Sequence, residues 1–431
     1  MLYKEKQIKE GIKLHLIKNE RFKTNLIAVF LTMPLERENI TKNAMIPMIL
    51  RRGSKNMPTQ EDISKNLEEM YGAIFDCGVE KKGENHILKF YLESINDEFL
   101  PESQGKILKE SIDKLLEIVF NPLVENEEFD KQYIEQEKIN LKQIIEGRAD
   151  NKSRYALDRC VEEMYKDTNY SLYKYGYVED LENINASNLY ISYKKIIEQC
   201  NIDIYVSGIV DEEIIKYIEE NNNLKNINNR KSIIKKYEIE KEKPIKEKTI
   251  FENLDVNQGK LIMGLKVPMQ TEDKQYDTII YNSILGGSAN SKLFQNVREK
   301  ASLAYTANSS YIRMKNTICI NCGIEFANYE KAVEIIKTQL EEMKNGNFSE
   351  EDVENAKRGY ISAIKSIEDE QDTEIMYYFG QEFTNIKLDI KGYEDRIAKV
   401  KKEDIIEIAK IVKIDTIYFL QDGSVKLQNN R

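Results

Sequence analysis

Two apolar-rich stretches near the start of the chain predict β-strands, and an apolar helix follows them. Ile12–Ile17 and Leu26–Met33 are strand-like, and the helix after the second strand ends near Gly53. A second helix is expected from Thr59, because this threonine can cap a helix with an acidic first turn and apolar residues four positions apart. The chain therefore begins in the order strand, strand, helix, helix.

The rest of the first half continues this mixture of elements. Strands are expected around Ile74–Val79 and Ile87–Leu92, with a turn at Gly83 between them. Helical spacing extends from Lys106 to about Tyr165, and Ile202–Val206 returns to a strand pattern.

A polar segment divides the chain into halves of similar size. Residues 221–248 are rich in asparagine and lysine and poor in aromatic residues, a composition typical of a linker. We therefore predict a first domain over residues 1–220 and a second domain over residues 249–431.

The two halves share a layout. Pro34 is separated from Gly53 by 18 residues, Pro268 is separated from Gly287 by the same number, and a serine follows each glycine. A strand-like stretch precedes each proline, and an amphipathic helix lies between each proline and its glycine. The sequence thus predicts a tandem duplication of one α+β domain.

Charge and composition narrow the functional classes. The chain has 431 residues, is 41% hydrophobic and 32% charged, and carries a net charge of −10. A general nucleic-acid binder is not expected, because neutralising phosphates requires a basic surface. The sequence lacks a secretory leader pattern and any run of about 20 apolar residues, so we expect a cytoplasmic protein that does not enter the membrane.

Five scattered cysteines do not form a disulfide framework. Cys319 and Cys322 have redox-motif spacing but lie in a strand-like run, where side chains three apart point to opposite faces. We expect reduced cysteines buried in a strand.

One motif in the second half identifies a resemblance. The stretch ILGGSANSKLFQNVREKASLAYTANSSY places a glycine-rich turn before a helix, then Arg298 near the end of that helix and Tyr305 at the start of a strand. In order and spacing it resembles the C-terminal domain of the M16 family (pitrilysin, insulinase, processing peptidase), and the whole chain looks similar to bacterial members of about this length. The resemblance implies an α+β fold of two tandem, homologous α/β-roll domains, each an antiparallel-rich sheet with helices packed on one face, joined by a linker.

The residues that active members use are missing. Such members bind zinc through H-x-x-E-H on the first long helix, where two histidines four apart share one face and the glutamate activates a water. Anchoring the alignment on Gly53 places Ala44 and Met48 at the histidine positions and Pro47 at the general-base position. None of these three side chains can perform that role.

The distal part of the implied zinc site is also altered. Family members carry two glutamates seven apart on a later helix, and Gln136 and Gln143 stand in those places here. This alignment has no gap-free anchor. Three nearby glutamates could be mistaken for ligands: Glu135, Glu137 and Glu146.

The histidine count gives a test that needs no alignment. The chain has only His15 and His86, which are 71 residues apart in sequence. We expect both to be partly exposed residues at strand edges rather than zinc ligands.

The second-half motif keeps the residues that, in the family, contact the substrate backbone. By resemblance, Arg298 would supply a fork of N–H donors and Tyr305 a neutral donor to a peptide carbonyl. The alternative is that Arg298 pairs with a nearby carboxylate and Tyr305 begins a core strand.

Together these features predict a non-catalytic, bacterial M16-type subunit that binds peptide and takes part in proteolysis only with a partner. That partner would be an M16 protein with an intact H-x-x-E-H motif, and the two would orient peptide in a shared chamber; self-association stays open. No cofactor is expected in this chain, since zinc would belong to the catalytic subunit. The alternative is a scaffold or peptide-binding protein of the same fold with no proteolytic role.

Overall fold

The fold alternates strands and helices in two similar halves. The computed structural model describes residues 2–101, 106–239, 244–269 and 271–423. The strands are β1 (Leu2–Lys9), β2 (Ile12–Lys18), β3 (Thr24–Pro34), β4 (Ile74–Lys82), β5 (Asn85–Ile95), β6 (Asn201–Gly208), β7 (Lys248–Asn253), β8 (Gly259–Lys266), β9 (Ala304–Ile312), β10 (Thr317–Ile324) and β11 (Lys413–Gln421).

The helices are α1 (Ile40–Leu50), α2 (Gln60–Glu69), α3 (Ile107–Phe120), α4 (Lys131–Glu146), α5 (Lys152–Met164), α6 (Ala186–Gln199), α7 (Glu213–Glu219), α8 (Asn222–Lys225), α9 (Lys274–Gly286), α10 (Tyr329–Lys344), α11 (Glu350–Lys365), α12 (Gln371–Gln381), α13 (Ile390–Ala398) and α14 (Lys402–Ile411). The helical pattern predicted over residues 106–165 corresponds to three separate helices, α3 to α5. Thr59 caps α2 as predicted, accepting a bond from the backbone N–H of Asp62 while the Asp62 carboxylate accepts one from the backbone N–H of Thr59.

The two sheets have the same strand order. The first runs β1-β2-β6-β3-β5-β4 and the second β7-β11-β8-β10-β9. Without β1, each contains one parallel pair (β2 with β6, β7 with β11) followed by antiparallel neighbours. This shared topology confirms the α+β class and agrees with a duplicated domain.

The first sheet is covered on both faces. Helices α1, α3 and α6 pack against strands of this sheet and bury the larger apolar core with it. On the other face, α12 places Phe379 against Phe30 with ring centroids 4.1 Å apart, and Tyr378 against Tyr3 at 4.0 Å.

Each of two compact units contains a helix from the opposite half of the chain. One unit comprises residues 1–147, 172–236 and 367–385, and therefore includes α12. The other comprises residues 148–171, 237–366 and 386–431, and therefore includes α5. Since α5 packs against β8 and β11 as α12 packs against β6 and β3, the two helices occupy comparable places in their units. The domain bounds predicted from the sequence, residues 1–220 and 249–431, stay a prediction.

Within the segment predicted to be a linker, residues 221–236 are anchored to the first unit; residues 240–243 lie outside the described residues. Arg230 is 6% exposed and donates to the carbonyl oxygens of Cys200 and Asn228. Lys235 and Asn85 exchange two hydrogen bonds of 2.8 and 2.7 Å. These contacts hold the segment on its unit.

Two smaller observations concern the cysteines and the membrane. Cys319 and Cys322 lie in β10 as free, buried thiols, and burial raises the pKa of each to about 12, which confirms strand cysteines that stay protonated. Within the described ranges, no helix has the length and apolarity needed to span a bilayer.

Candidate functional site

Helix α1 carries none of the side chains that hold zinc in the related active enzymes. Ala44 and Pro47 are buried and Met48 is half-buried. The Cys77 thiol of β4 donates to the Pro47 carbonyl oxygen at 3.3 Å, and burial raises the pKa of that thiol to about 12. A methyl group, a proline ring and a thioether supply neither a carboxylate nor an imidazole, so these residues do not fit a catalytic zinc ion.

Helix α4 turns a different residue toward the core than the alignment assumed. Gln136 and Gln143 are both exposed, whereas Glu137 is 3% exposed on the same face as Ile134 and Leu141. The glutamine assignment stays a prediction. The spacing of Ile134, Glu137 and Leu141, three and four positions apart, is the sequence signal that could have placed Glu137 on the buried face.

A guanidinium group already neutralises this buried carboxylate. Arg52 follows α1 and donates from Nε to Glu137 Oε1 at 2.5 Å, and Asn140 donates to Oε2 at 3.0 Å. Arg52 also lies over the ring of Tyr133, 5.5 Å from its centroid. The two helices are therefore joined by an ion pair between the Arg52 guanidinium and the Glu137 carboxylate.

The expectation that both histidines are partly exposed is wrong, since His15 and His86 are each fully buried. His15 lies in β2, between β1 and β6, and stacks on Tyr205 with centroids 4.0 Å apart. His86 donates from Nε2 to the carbonyl oxygen of Lys174 at 2.9 Å, and burial lowers its pKa to about 4. Strand positions with flanking strands on both sides leave no exposed edge for these rings.

One cluster in the described part of the chain has the spacing of a metal site. Donor atoms of Glu5, His15 and Glu382 lie within 4.8 Å of one another. However, the Lys13 ammonium lies 3.0 Å from Glu5 Oε1 and 2.6 Å from Glu382 Oε2, and His15 bonds the Tyr3 hydroxyl at 2.8 Å. The cluster is an ion-pair network that docks α12 and its following turn on the sheet.

Arg298 lies in a π-helical segment, Phe294–Lys300, and its side chain is 43% exposed. Its guanidinium carbon is 4.5 Å from the centroid of the Phe294 ring, and its Nε is 3.7 Å from Glu299 Oε1. Among the described residues, the carboxylate partner of the alternative interpretation is found only in this long, exposed contact, which contributes little. Phe294 was not predicted from the sequence, although its position four residues before Arg298 is the signal that could have identified it.

Tyr305 is the second residue of β9 and is 73% exposed, so it does not begin a core strand. A tight turn connects it to the helix: Ser302 has φ of 52°, and the N–H groups of Ser302 and Leu303 donate to the carbonyls of Arg298 and Val297, each at 3.1 Å. In the described part of the second sheet, β9 is an edge strand. The turn thus fixes the positions from which an exposed cation and an exposed phenol extend.

Comparisons with known proteins agree with this geometry. Residues 183–360 match a family profile described as peptidase M16 inactive domain. The chain is 35% identical over 418 residues, 95% of its length and 96% of the relative, to a Bacillus subtilis protein named probable inactive metalloprotease. It is 24% identical over 260 residues, 59% of this chain and 61% of the relative, to an uncharacterized zinc protease of the same species.

Solved structures show the same fold over the full length. A conserved protein from Enterococcus faecalis superposes with a TM-score of 0.87 at 28% identity, covering 98% of this chain and 99% of that one. A structure from Pseudomonas fluorescens, described as a peptidase M16 inactive domain, superposes with a TM-score of 0.79 at 15% identity, with 99% of each chain covered. At that lower identity the likeness concerns the fold alone.

Proposed function

Because this chain belongs to the peptidase M16 family as an inactive member, we propose that it is the non-catalytic subunit of a two-protein peptidase. In this proposal its partner carries the intact H-x-x-E-H helix and the zinc, and both proteins work in the cytoplasm. This chain needs no cofactor and contributes Arg298 and Tyr305 to a shared peptide site. Association with a second copy of itself is not required.

One observation carries the proposal. Helix α1 carries Ala44, Pro47 and Met48, none of which supplies a carboxylate or an imidazole, while the second half presents two hydrogen-bond donors to solvent, joined by one turn. An exposed phenol at 73% and an exposed guanidinium at 43% gain little for stability where they are. Their chemistry suits neutral carbonyl acceptors, which an extended peptide offers at every residue.

The roles of the two residues follow from their donors. The Tyr305 hydroxyl can donate one hydrogen bond to a peptide carbonyl, and the Arg298 guanidinium can hold a neighbouring carbonyl through two parallel N–H groups. Neither residue supplies a nucleophile or a base, so bond cleavage belongs to the partner. Holding the peptide in one register raises the rate by orientation alone.

The experiment mixes this chain with the M16 protein of the same organism that has an intact H-x-x-E-H helix and measures hydrolysis of fluorescein-labelled casein. We expect hydrolysis only in the mixture. Arg298→Ala with Tyr305→Phe should lower turnover by roughly fivefold to 150-fold, because each of the two lost hydrogen bonds contributes about 0.5–1.5 kcal/mol net.

Matched controls lie on the same helix and strand. Lys300→Ala and Ser310→Ala also change exposed residues and should leave turnover unchanged. Size-exclusion chromatography of each mixture separates a loss of turnover from a loss of association. A complex whose activity is insensitive to Arg298 and Tyr305 would identify a scaffold, and the absence of any complex would overturn the subunit proposal.

A further inference from the structure

We propose that Phe294 is the positioning residue of the peptide site, whose ring directs the Arg298 guanidinium toward a peptide carbonyl. This inference rests on the proposed function, because it assigns a supporting residue to the same site. It begins from the helix that carries both side chains. Leu293 and Val297 are fully buried and anchor one stripe of this helix in the core.

Phe294 and Arg298 form the neighbouring stripe, at the boundary of the protein. The ring of Phe294 is half-buried and the Arg298 side chain is exposed. A separation of 4.5 Å between guanidinium carbon and ring centroid is within the range of a cation–π contact. The half-buried ring is therefore placed to act as a platform that orients the exposed guanidinium.

Side-chain hydrogen bonds hold the platform in place. Asn296 donates from Nδ2 to the Lys292 carbonyl at 2.8 Å and to Gln339 Oε1 of α10 at 2.9 Å. Gln295 donates from Nε2 to the Ala289 carbonyl at 2.8 Å, which ties the helix to the preceding glycine-rich turn. π-helical turns are rare overall but are frequently found at functional sites, and these bonds anchor the N-terminal end of this one.

An aromatic platform suits peptide recognition for a chemical reason. A carboxylate partner would occupy the N–H groups of Arg298 in a fork, whereas a ring interacts with the face of the cation and uses none of its donors. Among the described residues, the other partner of the Arg298 side chain is Glu299, at 3.7 Å, and no side-chain hydrogen bond is made. All five N–H donors thus remain available to a backbone carbonyl.

The expected size of the effect follows from the contact. Cation–π interactions at exposed sites contribute about 0.5–1 kcal/mol, which corresponds to roughly a twofold to fivefold change in affinity. The effect should appear in the KM for peptide and leave kcat nearly unchanged, because the ring touches neither the peptide nor the scissile bond.

The test uses the complex of this chain with its zinc-bearing partner and fluorescein-labelled casein as the probe. Phe294→Leu keeps an apolar side chain and removes the π face, whereas Phe294→Tyr keeps the ring. We expect Phe294→Leu to raise KM twofold to fivefold and Phe294→Tyr to restore the wild-type value. Glu299→Gln, which removes the exposed carboxylate, should leave KM unchanged.

A double-mutant cycle separates positioning from folding. In an Arg298→Ala background, Phe294→Leu should have no further effect on KM, since the group that it orients is gone. An equal loss in both backgrounds, or an unchanged KM in Phe294→Leu alone, would overturn the inference while the proposed function stands. An unchanged KM and turnover in Arg298→Ala would instead overturn the proposed function.

Discussion

Arg52 and Glu137 join α1 to α4 through a buried ion pair, with Nε 2.5 Å from Oε1 and the carboxylate 3% exposed. This pair lies where the M16 resemblance leads one to look for metal ligands on two helices. The Arg52 guanidinium joins the two helices instead. The contact between the helices is therefore present in a chain that lacks the catalytic residues.

Removing the Arg52 guanidinium alone should lower the free energy of unfolding substantially. Arg52→Leu leaves a buried carboxylate without its charged partner, and we expect a loss of about 3–5 kcal/mol in the free energy of unfolding. Replacing both residues, Arg52→Met with Glu137→Leu, should restore most of that loss, because no charge stays buried. Urea unfolding measures both values. Arg51→Ala, at an exposed neighbour, is the control, and a similar loss in that variant would contradict the assignment.

The free energy of unfolding should decrease as the pH rises, because of one carboxyl group on α12. Glu374 is fully buried, and burial raises its pKa to about 7 from the usual 4.5, with Glu368 acting in the same direction and Asn19 and Arg21 opposing. A carboxyl group whose pKa is raised by folding lowers the free energy of unfolding only at a pH where it would ionise in the unfolded chain. Below about pH 4.5 this penalty is absent. The penalty grows up to about pH 7 and is constant above it, reaching about 3 kcal/mol.

The variant Glu374→Gln keeps the shape of the side chain and removes its titration. We expect its free energy of unfolding to vary less between pH 5 and pH 8 than that of the wild type. Glu370→Gln changes an exposed carboxylate next to the same helix and should retain the wild-type pH dependence. An unaltered pH profile in Glu374→Gln would show that another group is responsible.

The first unit should not fold from the first half of the chain alone. A fragment of residues 1–236 lacks α12, so Phe30 and Tyr205 would lose the Phe379 ring that now packs against them. We expect near-ultraviolet circular dichroism and urea unfolding to show loose packing, and addition of a peptide of residues 367–385 to restore a cooperative transition. A peptide with Phe379→Ala should restore less, since Phe→Ala in a core costs about 3–5 kcal/mol. Cooperative unfolding of the fragment by itself would refute this.

A glycine at the end of α9 allows the helix to approach the strand that carries Tyr305. A Cβ on Gly286 would lie 2.6 Å from the backbone nitrogen of Ser309 in β9. Gly286→Ala should therefore displace β9, lower the melting temperature and reduce peptide hydrolysis by the two-protein complex. Gly359→Ala is the matched control: a Cβ there meets nothing within 4 Å inside α11, and it should stabilise by about 0.5–1 kcal/mol.

Local patterns predicted much of the architecture. The equal spacing from Pro34 to Gly53 and from Pro268 to Gly287 indicated a repeat, and the shared strand order agrees with it. Cap chemistry at Thr59 and apolar-rich strand stretches placed elements within a few residues of their observed bounds. These features depend on neighbours in sequence, which is why reading the chain reveals them.

Long-range packing accounts for what was missed. The burial of His15 depends on β6 and on α12, which follow it by almost 190 and more than 350 residues. The ion pair of Glu137 depends on Arg52, which follows α1 and lies 85 residues earlier in the chain. Helices α5 and α12 each pack in the unit formed mainly by the other half of the chain. No local pattern indicates this, because each helix has an ordinary amphipathic pattern that suits any sheet face.

The late position of α12 in the chain has a consequence for biosynthesis. The ribosome completes residue 236 long before residue 371, and at typical rates of elongation the interval is on the order of ten seconds. During this time Phe30, Tyr205 and their neighbours on the first sheet lack their covering helix. The nascent chain therefore keeps an apolar surface on its first sheet that it cannot cover until the residues of α12 have been made.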